Sequence, residues 1–304
     1  TMARGLHFSN AASHADQADT FAPLGPGCGS LAGVAQRMNT VVPVSVVVPC
    51  YRCKTTIERA VASVAAQTCL PAQLILVDDA SGDGTADLLD AIQQRLGDWV
   101  EILVLAENGG AAQARNAGWE RATQAYVAFL DADDAWHPCK LEVQYGYMAG
   151  HSQIVLSGHL HRVLPSQDAQ LPNWPLPAHW DVQSVTWRAL LLRHQFVTPS
   201  VMLRRDLPVR FARNLRYMED YRLWLDIAGT ACEMVKLNVE LAAIYKAAYG
   251  ATGLSGNLWQ MERGELAVLR HFRQTGRLSS ALWMLVSAYS LVKYLRRRLI
   301  VWLR

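Results

Sequence analysis

The chain has 304 residues, 51% of them apolar, and a formal net charge of +3. That is enough apolar material for one large or two small domains with a sizeable core, and no run reaches the length of a spanning helix. Six cysteines in a chain this long exclude a disulfide framework, and the lone CxxC at Cys50 and Cys53 lacks the second ligand pair a zinc site needs, so reduced thiols are expected.

Residues 1–42 are rich in Ala, Gly, Ser, Asp and Pro and lack the basic and apolar regions of a secretory leader; they predict a disordered extension. Order is expected to begin at Val44. The run VSVVVP at 44–49 is β-branched and closed by proline, which predicts a buried strand. Thr55 and Glu58 have the spacing of a capping box and open a helix with Ile57, Ala60, Val61 and Val64 on one face. QLILVD at 73–78 predicts a second strand. A Ser-Gly-Asp-Gly turn follows, then a helix from about Thr85 carrying Leu88, Leu89, Ile92 and Leu96. Residues 100–106 predict a third strand, 111–124 a helix, and YVAFLD at 126–131 a fourth strand.

This alternation predicts an α/β fold: a doubly wound, mostly parallel sheet with helices on both faces. Such sheets bind ligands at the carboxyl ends of their strands. The polar clusters stand there: Pro49–Tyr51 after the first strand, Asp78–Asp79 after the second, Asp131–Asp134 after the fourth. From 151 to 250 the pattern loosens around Pro165, Pro172, Pro175 and Pro177, with a strand expected near 196–204, a helix near 219–230 and a strand near 239–246. Residues 251–304 predict a C-terminal helical region of two helices.

Asp131 and Asp133, two apart beyond an apolar strand, could share a hard divalent cation with a diphosphate, or form an ordinary polar turn. Asp78 and Asp79 could accept from a base imide or a ribose hydroxyl, or cap the next helix. In NGGAAQARNAG, 108–118, Gly109 and Gly110 permit close backbone approach and Arg115 could face phosphate; taken alone, such an arginine is more often a salt-bridge residue. Glu219 and Asp220 open a helix, where the dipole favours acids; a general base is the functional alternative. Trp136 is placed either to shape a sugar pocket or simply to pack.

The charge is unevenly spread. Eight of the 29 basic residues follow Glu265 and no acidic residue does, so the rest of the chain carries 21 basic against 26 acidic residues. Lys293, Arg297 and Arg304 share a helical face with Arg296 beside it, near Trp283, Tyr289, Tyr294 and Trp302. A helix in a bilayer interface with its cations toward anionic lipid fits this, as does a helix docked on the chain's own core.

VVVPCYR, VDDASGDGT, NGGAAQARNAG, FLDADDAW and EDYRLWL resemble, in order, the motifs of family 2 glycosyltransferases, inverting enzymes of the GT-A fold, over about residues 44–245. The resemblance implies a GT-A domain at 43–250, a nucleotide-sugar donor (most often a uridine-diphosphate sugar), Mg or Mn, and no nucleic-acid partner. By it Pro49 and Tyr51 flank the base, Asp79 meets uracil or ribose, Asp133 is the main metal ligand and Asp131 touches ribose or metal. Arg115 lies near the nucleotide and Asp220 is the catalytic base; Glu219 and Trp136 border the sugar or acceptor. Two departures stand out. The first motif usually has Asn where this chain has Arg52, and the usual Tyr-Arg-x-His reads Tyr245-Lys246-Ala247-Ala248, leaving Lys246 to meet phosphate without a histidine. The QxxRW of processive synthases is missing, which implies single-sugar addition. With the basic tail, the resemblance implies a polyprenyl-linked saccharide acceptor and a place on the inner face of the cytoplasmic membrane, in exopolysaccharide, capsule or O-antigen assembly. A nucleotidyltransferase or an inactive membrane scaffold are the alternatives; the glycine-free CYRCKTT loop speaks against the first and the intact acids against the second.

Overall fold

A computed structural model describes residues 20–21, 40–166, 169–230, 232–245 and 256–303. The strands are β1 (Thr20–Phe21), β2 (Thr40–Cys50), β3 (Cys69–Asp78), β4 (Val100–Val104), β5 (Tyr126–Phe129), β6 (Ala135–Trp136), β7 (Ile154–Val163), β8 (Trp180–Ser184), β9 (Met202–Arg204) and β10 (Glu233–Ile244). The helices are α1 (Ile57–Ala65), α2 (Thr85–Leu96), α3 (Gly110–Arg121), α4 (Lys140–Gly150), α5 (Trp187–Leu192), α6 (Glu219–Ala228), α7 (Leu258–Gln274) and α8 (Ser280–Trp302). The sheet order is β1-β8-β10-β7-β9-β5-β2-β3-β4, with β6 added antiparallel to β10. Parallel ladders join β5-β2-β3-β4 and β7-β10; the short β9 runs antiparallel between the two blocks.

Alternate residues of one strand face opposite sides of a sheet, and here both sides are covered. Val47, Ile75, Val77, Val127 and Phe129 meet α3 and α6. Val46, Val48, Leu74, Leu76 and Ala128 meet α1, α2 and α4. That is why the interior of β2 is apolar apart from Ser45, which bonds to Gln73 of β3 at 2.7 Å, and why the acids of this block gather at the strand ends. α3 lies very close to the sheet: a Cβ on Gly118 would stand 2.4 Å from Val47 Cγ1.

Several local expectations are corrected. The strand expected at 44–49 begins at Thr40, and the one at 239–246 begins at Glu233. Only Met202–Arg204 of the strand near 196–204 is extended; Thr198–Ser200 form one turn of 3-10 helix. The Thr55–Glu58 capping box does not form. Thr56 is the N-cap without a side-chain cap bond, and Glu58 pairs with Arg95 of α2 at 2.6 Å. β7, β8 and α5 stand within the stretch expected to be irregular, and α4 precedes it. Cys50, Cys53, Cys69 and Cys232 are free thiols. Contact with Cys53, then burial, pushes the Cys50 thiol well up, and both cysteines of the CxxC are buried.

α7 and α8 pack as an antiparallel pair beyond α5 and α6. Two cations of α8 turn inward: Lys293 meets Glu265 at 2.9 Å and Arg297 meets Glu262 at 3.2 Å, with Ser290 donating to Glu262 at 2.9 Å, while Arg296 is exposed and Arg304 lies outside the described residues. The acids of α7 draw these cations inward, which rotates the apolar face to solvent. Leu285, Ala288, Val292, Leu295, Leu299 and Trp302 follow one another at steps of three and four and are all exposed. Among the described residues no helix is long and apolar enough to cross a membrane.

Candidate active site

The site begins where β3 ends. Asp79 is 2% exposed. Its Oδ1 accepts from the backbone N–H of Gly109 at 2.8 Å; its Oδ2 accepts from that of Gly110 at 2.8 Å and from Asn108 Nδ2 at 2.9 Å. The carboxylate thus takes the N-terminal amides of α3, the place where a phosphate would otherwise be welcome. Any contact with a base would be a further one for oxygens already engaged. Asp78 is also turned inward and accepts from the Ser81 hydroxyl and backbone N–H. Pro49 and Tyr51 stand beside this loop, and Tyr51 is exposed.

α3 carries the anchored turn into the centre of the site. Arg115, 5% exposed, bridges Asp131 at 2.7 Å and Glu219 at 3.0 Å. Burial opposes its charge, but Asp131, Glu219 and Asp220 outweigh burial and hold the guanidinium above its usual value. Arg115, expected near the nucleotide, is engaged here in ion pairs inside the protein, with partners 16 and 104 residues away in the chain.

Asp131, Asp133 and Asp134 each offer a carboxylate oxygen, and these lie within 4.8 Å of one another. Hard oxygen donors on one short loop, with more carboxylates than guanidiniums near, fit a divalent cation of the Mg or Mn kind. Asp134, the end of the Asp131–Asp134 cluster and given no metal role from sequence, is the buried member; its Oδ1 accepts from the Tyr245 backbone N–H at 3.2 Å. Arg59 of α1 steadies the loop by donating from Nη2 to the Asp133 carbonyl at 2.6 Å while lying over the Tyr245 ring. Trp136 is fully buried and its indole N–H donates to the Pro199 carbonyl at 2.8 Å, so it lines no open sugar pocket. Pairing of β6 with β10 turns it into the core.

Asp220 stands in the first turn of α6. Oδ1 accepts from the Tyr221 backbone N–H at 2.7 Å and Oδ2 from the Thr198 hydroxyl at 3.3 Å. Glu219 is buried beside it. Burial first, and the charge of Asp220 second, push the Glu219 carboxyl up to about 7, against the pull of Arg115. Asp79, Asp131, Glu219 and Asp220 are thus joined through one helix, α3, at one rim of the sheet. Lys246 lies outside the described residues.

Residues 45–206, more than half the chain, match the family described as Glycosyl transferase family 2. The chain belongs to this family. It is a glycosyltransferase. It is 31% identical over 245 residues to TuaG of Bacillus subtilis (strain 168), a protein named for teichuronic acid biosynthesis, covering 80% of this chain and 93% of that one. WfgD of Escherichia coli, named a UDP-Glc:alpha-D-GlcNAc-diphosphoundecaprenol beta-1,3-glucosyltransferase, is 30% identical over 185 residues, with 60% of this chain and 69% of that one covered. Among solved structures, S. aureus TarS 1–349 superposes with a TM-score of 0.58 at 17% identity, over 82% of this chain and 70% of that one. The fold of this glycosyltransferase is accordingly of the GT-A type, with C-terminal helices added.

Backbone strain in this glycosyltransferase gathers at the same rim. Among the described residues the non-glycine positions with positive φ are Arg52 (49°), Ala80 (52°) and Met218 (62°). They follow β2, follow Asp79 and precede Glu219. Position 52 needs the left-handed region, which Asn adopts more readily than Arg, so the arginine stands there at a conformational cost. Arg52 is held there by its backbone N–H donating to Ser81 Oγ at 3.0 Å.

Proposed function

We propose that the enzyme moves a single sugar from a uridine-diphosphate sugar onto a hydroxyl of a polyprenyl-linked saccharide, with inversion, at the inner face of the cytoplasmic membrane. The product would enter exopolysaccharide, capsule or O-antigen assembly. The observation that carries this reading is the junction of Asp220 with the acidic loop through Arg115 and Glu219. It supports a carboxylate base beside a cation site at the ligand-binding rim.

In this reading Pro49 and Tyr51 flank the base, and Asp79 and Asp78 act mainly by holding the loops around it. Asp133 and Asp131 would hold Mg or Mn, which would offset charge on the departing diphosphate. Asp220 takes the proton of the acceptor hydroxyl. The oxygen then attacks the anomeric carbon opposite the diphosphate; one bond forms, the bond to the diphosphate oxygen breaks, and the centre inverts. Lys246 would meet the diphosphate. Glu219, with a proton available near neutrality, keeps Arg115 in place without adding a full charge to the rim.

The names of relatives support the substrate class. WfgD is named for a UDP-glucose donor and a diphosphoundecaprenol acceptor, and structures of TarS with UDP-GlcNAc and of GalNAc-T7 with UDP, GalNAc and Mn2+ share the fold. Membrane contact is supported by the outward apolar face of α8 rather than by its basic face. The test is a screen of UDP-sugars against polyprenyl-diphosphate-linked N-acetylglucosamine, with Mn, with Mg and with chelator, reading UDP release and product anomer. Retention of configuration, or full transfer by Asp220→Asn, would overturn the mechanism. Unchanged function in cells carrying Asp133→Ala would favour a scaffold.

A further inference from the structure

The group that orients Asp220 from outside its own helix is Thr198. It opens the one-turn 3-10 helix Thr198–Ser200 and is buried. Its hydroxyl hydrogen goes to Asp220 Oδ2, while Oδ1 is taken by the Tyr221 backbone N–H. Each carboxylate oxygen therefore has one fixed donor, which selects one orientation of the group and leaves a defined lone pair for an incoming proton.

The turn itself is fixed from the acidic loop. Trp136, two residues past Asp134, donates its indole N–H to the Pro199 carbonyl at 2.8 Å. Gln144 of α4 donates from Nε2 to the Ser200 carbonyl at 3.0 Å and to the Ser157 carbonyl of β7 at 2.9 Å. Ser200 closes the turn on the Val197 carbonyl, from its hydroxyl at 2.7 Å and its backbone N–H at 2.9 Å. Asp220 is 87 residues from Asp133 in the chain, yet two side-chain hydrogen bonds and one turn set its position against the segment that carries the cation site.

We infer that Thr198 is a positioning residue for Asp220, registered on the acidic loop through the Trp136–Pro199 hydrogen bond. The inference rests on Asp220 being the base. A missing donor would free the carboxylate to rotate and cost proton transfer rather than donor binding.

The test compares Thr198→Val and Thr198→Ala, which lack the hydroxyl, with Thr198→Ser, which keeps it, and with Asp220→Asn. Transfer from the UDP-sugar found in the screen should show kcat reduced about tenfold in the two hydroxyl-free variants, the order expected for one hydrogen bond to a charged group, with donor KM within about twofold. Serine should restore kcat to within about threefold, and all variants should melt close to the parent. Crystal structures supply a readout that needs no substrate: Asp220 should leave its position or occupy more than one rotamer in Thr198→Val and return in Thr198→Ser. An inactive Asp220→Asn beside a fully active Thr198→Val would sink the inference and leave the base standing. An active Asp220→Asn would remove the base and the inference together. Equal loss in Val, Ala and Ser variants would assign the effect to packing of the turn and overturn the role of the hydroxyl.

Discussion

Replacing Arg115 by Met keeps much of the volume and removes the charge. In the parent the guanidinium is 5% exposed and holds Asp131 at 2.7 Å and Glu219 at 3.0 Å. Breaking a buried pair by deleting one partner costs about 3–5 kcal/mol, because the other charge is left uncompensated. Two features reduce that here. The Asp131 side chain is 24% exposed, so water can solvate part of it. Glu219, already pushed up to about 7, can take a proton instead of remaining charged. The expected loss is about 3 kcal/mol at pH 8, and less at pH 6, where a protonated Glu219 needs no counter-charge. Urea unfolding at both pH values measures it, with m unchanged if both states keep their extent. Adding Glu219→Gln should return about 1 kcal/mol or more of the loss at pH 8, since the two residues share one network. A loss under about 1 kcal/mol at both pH values, together with a raised donor KM, would refute the reasoning and restore the view that Arg115 faces the diphosphate.

Glu219→Gln alone tests the sign of the carboxyl shift. A folded-state value raised to about 7 from an ordinary 4.5 means stability is gained as pH falls through that window and lost as it rises. The variant should therefore melt higher than the parent at pH 8 and close to it at pH 5; a variant equally destabilised at both contradicts the assignment. Arg52→Asn should stabilise the protein by up to about 1 kcal/mol, from the lower cost of the left-handed conformation, in thermal melts. Leu295→Asp with Leu299→Asp should abolish flotation with phosphatidylglycerol-containing vesicles while leaving the melting temperature nearly unchanged, because both residues face solvent; loss of binding in high salt instead would return the contact to the cations. Chelation of divalent ions should weaken UDP binding by calorimetry, and Asp133→Ala should reproduce the effect without added chelator.

The first half of the fold was legible because its chemistry is one-dimensional. β2 and β3 are apolar along their lengths, so they read as doubly covered strands, and their charged ends stood out against them. β7 hid because it carries Ser157, Gly158, His159 and His161 within a central strand. Gly158 is required there by Phe196, whose ring would lie 2.2 Å from an added Cβ. His159 is buried, and burial, then the nearby Lys140, depresses its pKa well below the ordinary value. Neither fact has a local signature. The same holds for the site. Asp131 and Asp220 were visible as acids in telling places, but the partners of Arg115 lie 16 and 104 residues away, and Thr198 is an unremarkable residue until the turn brings it to Asp220. For α8 the spacing puts Lys293 and Arg297 on one face; what the sequence alone leaves open is that Glu265 and Glu262 stand opposite them.

Charge supplies the reason these parts belong together. Around the rim, Asp131, Asp133, Asp134, Glu219 and Asp220 face the guanidiniums of Arg115 and Arg59. Even with Glu219 protonated, four carboxylates meet two cations, and Arg115 is already held by two of the acids it faces. A diphosphate approaching such a rim meets net repulsion, worth about 1 kcal/mol per charge pair at 4 Å even in water and more where solvent is thinned. A divalent cation on the loop brings four against two to balance. Such an ion would make that count even before the donor arrives, and in the proposed mechanism Asp220, held by Thr198 and Tyr221, would remain the carboxylate for the acceptor's proton. Among the described residues a monovalent ion would leave one charge uncancelled, so their count favours the divalent class.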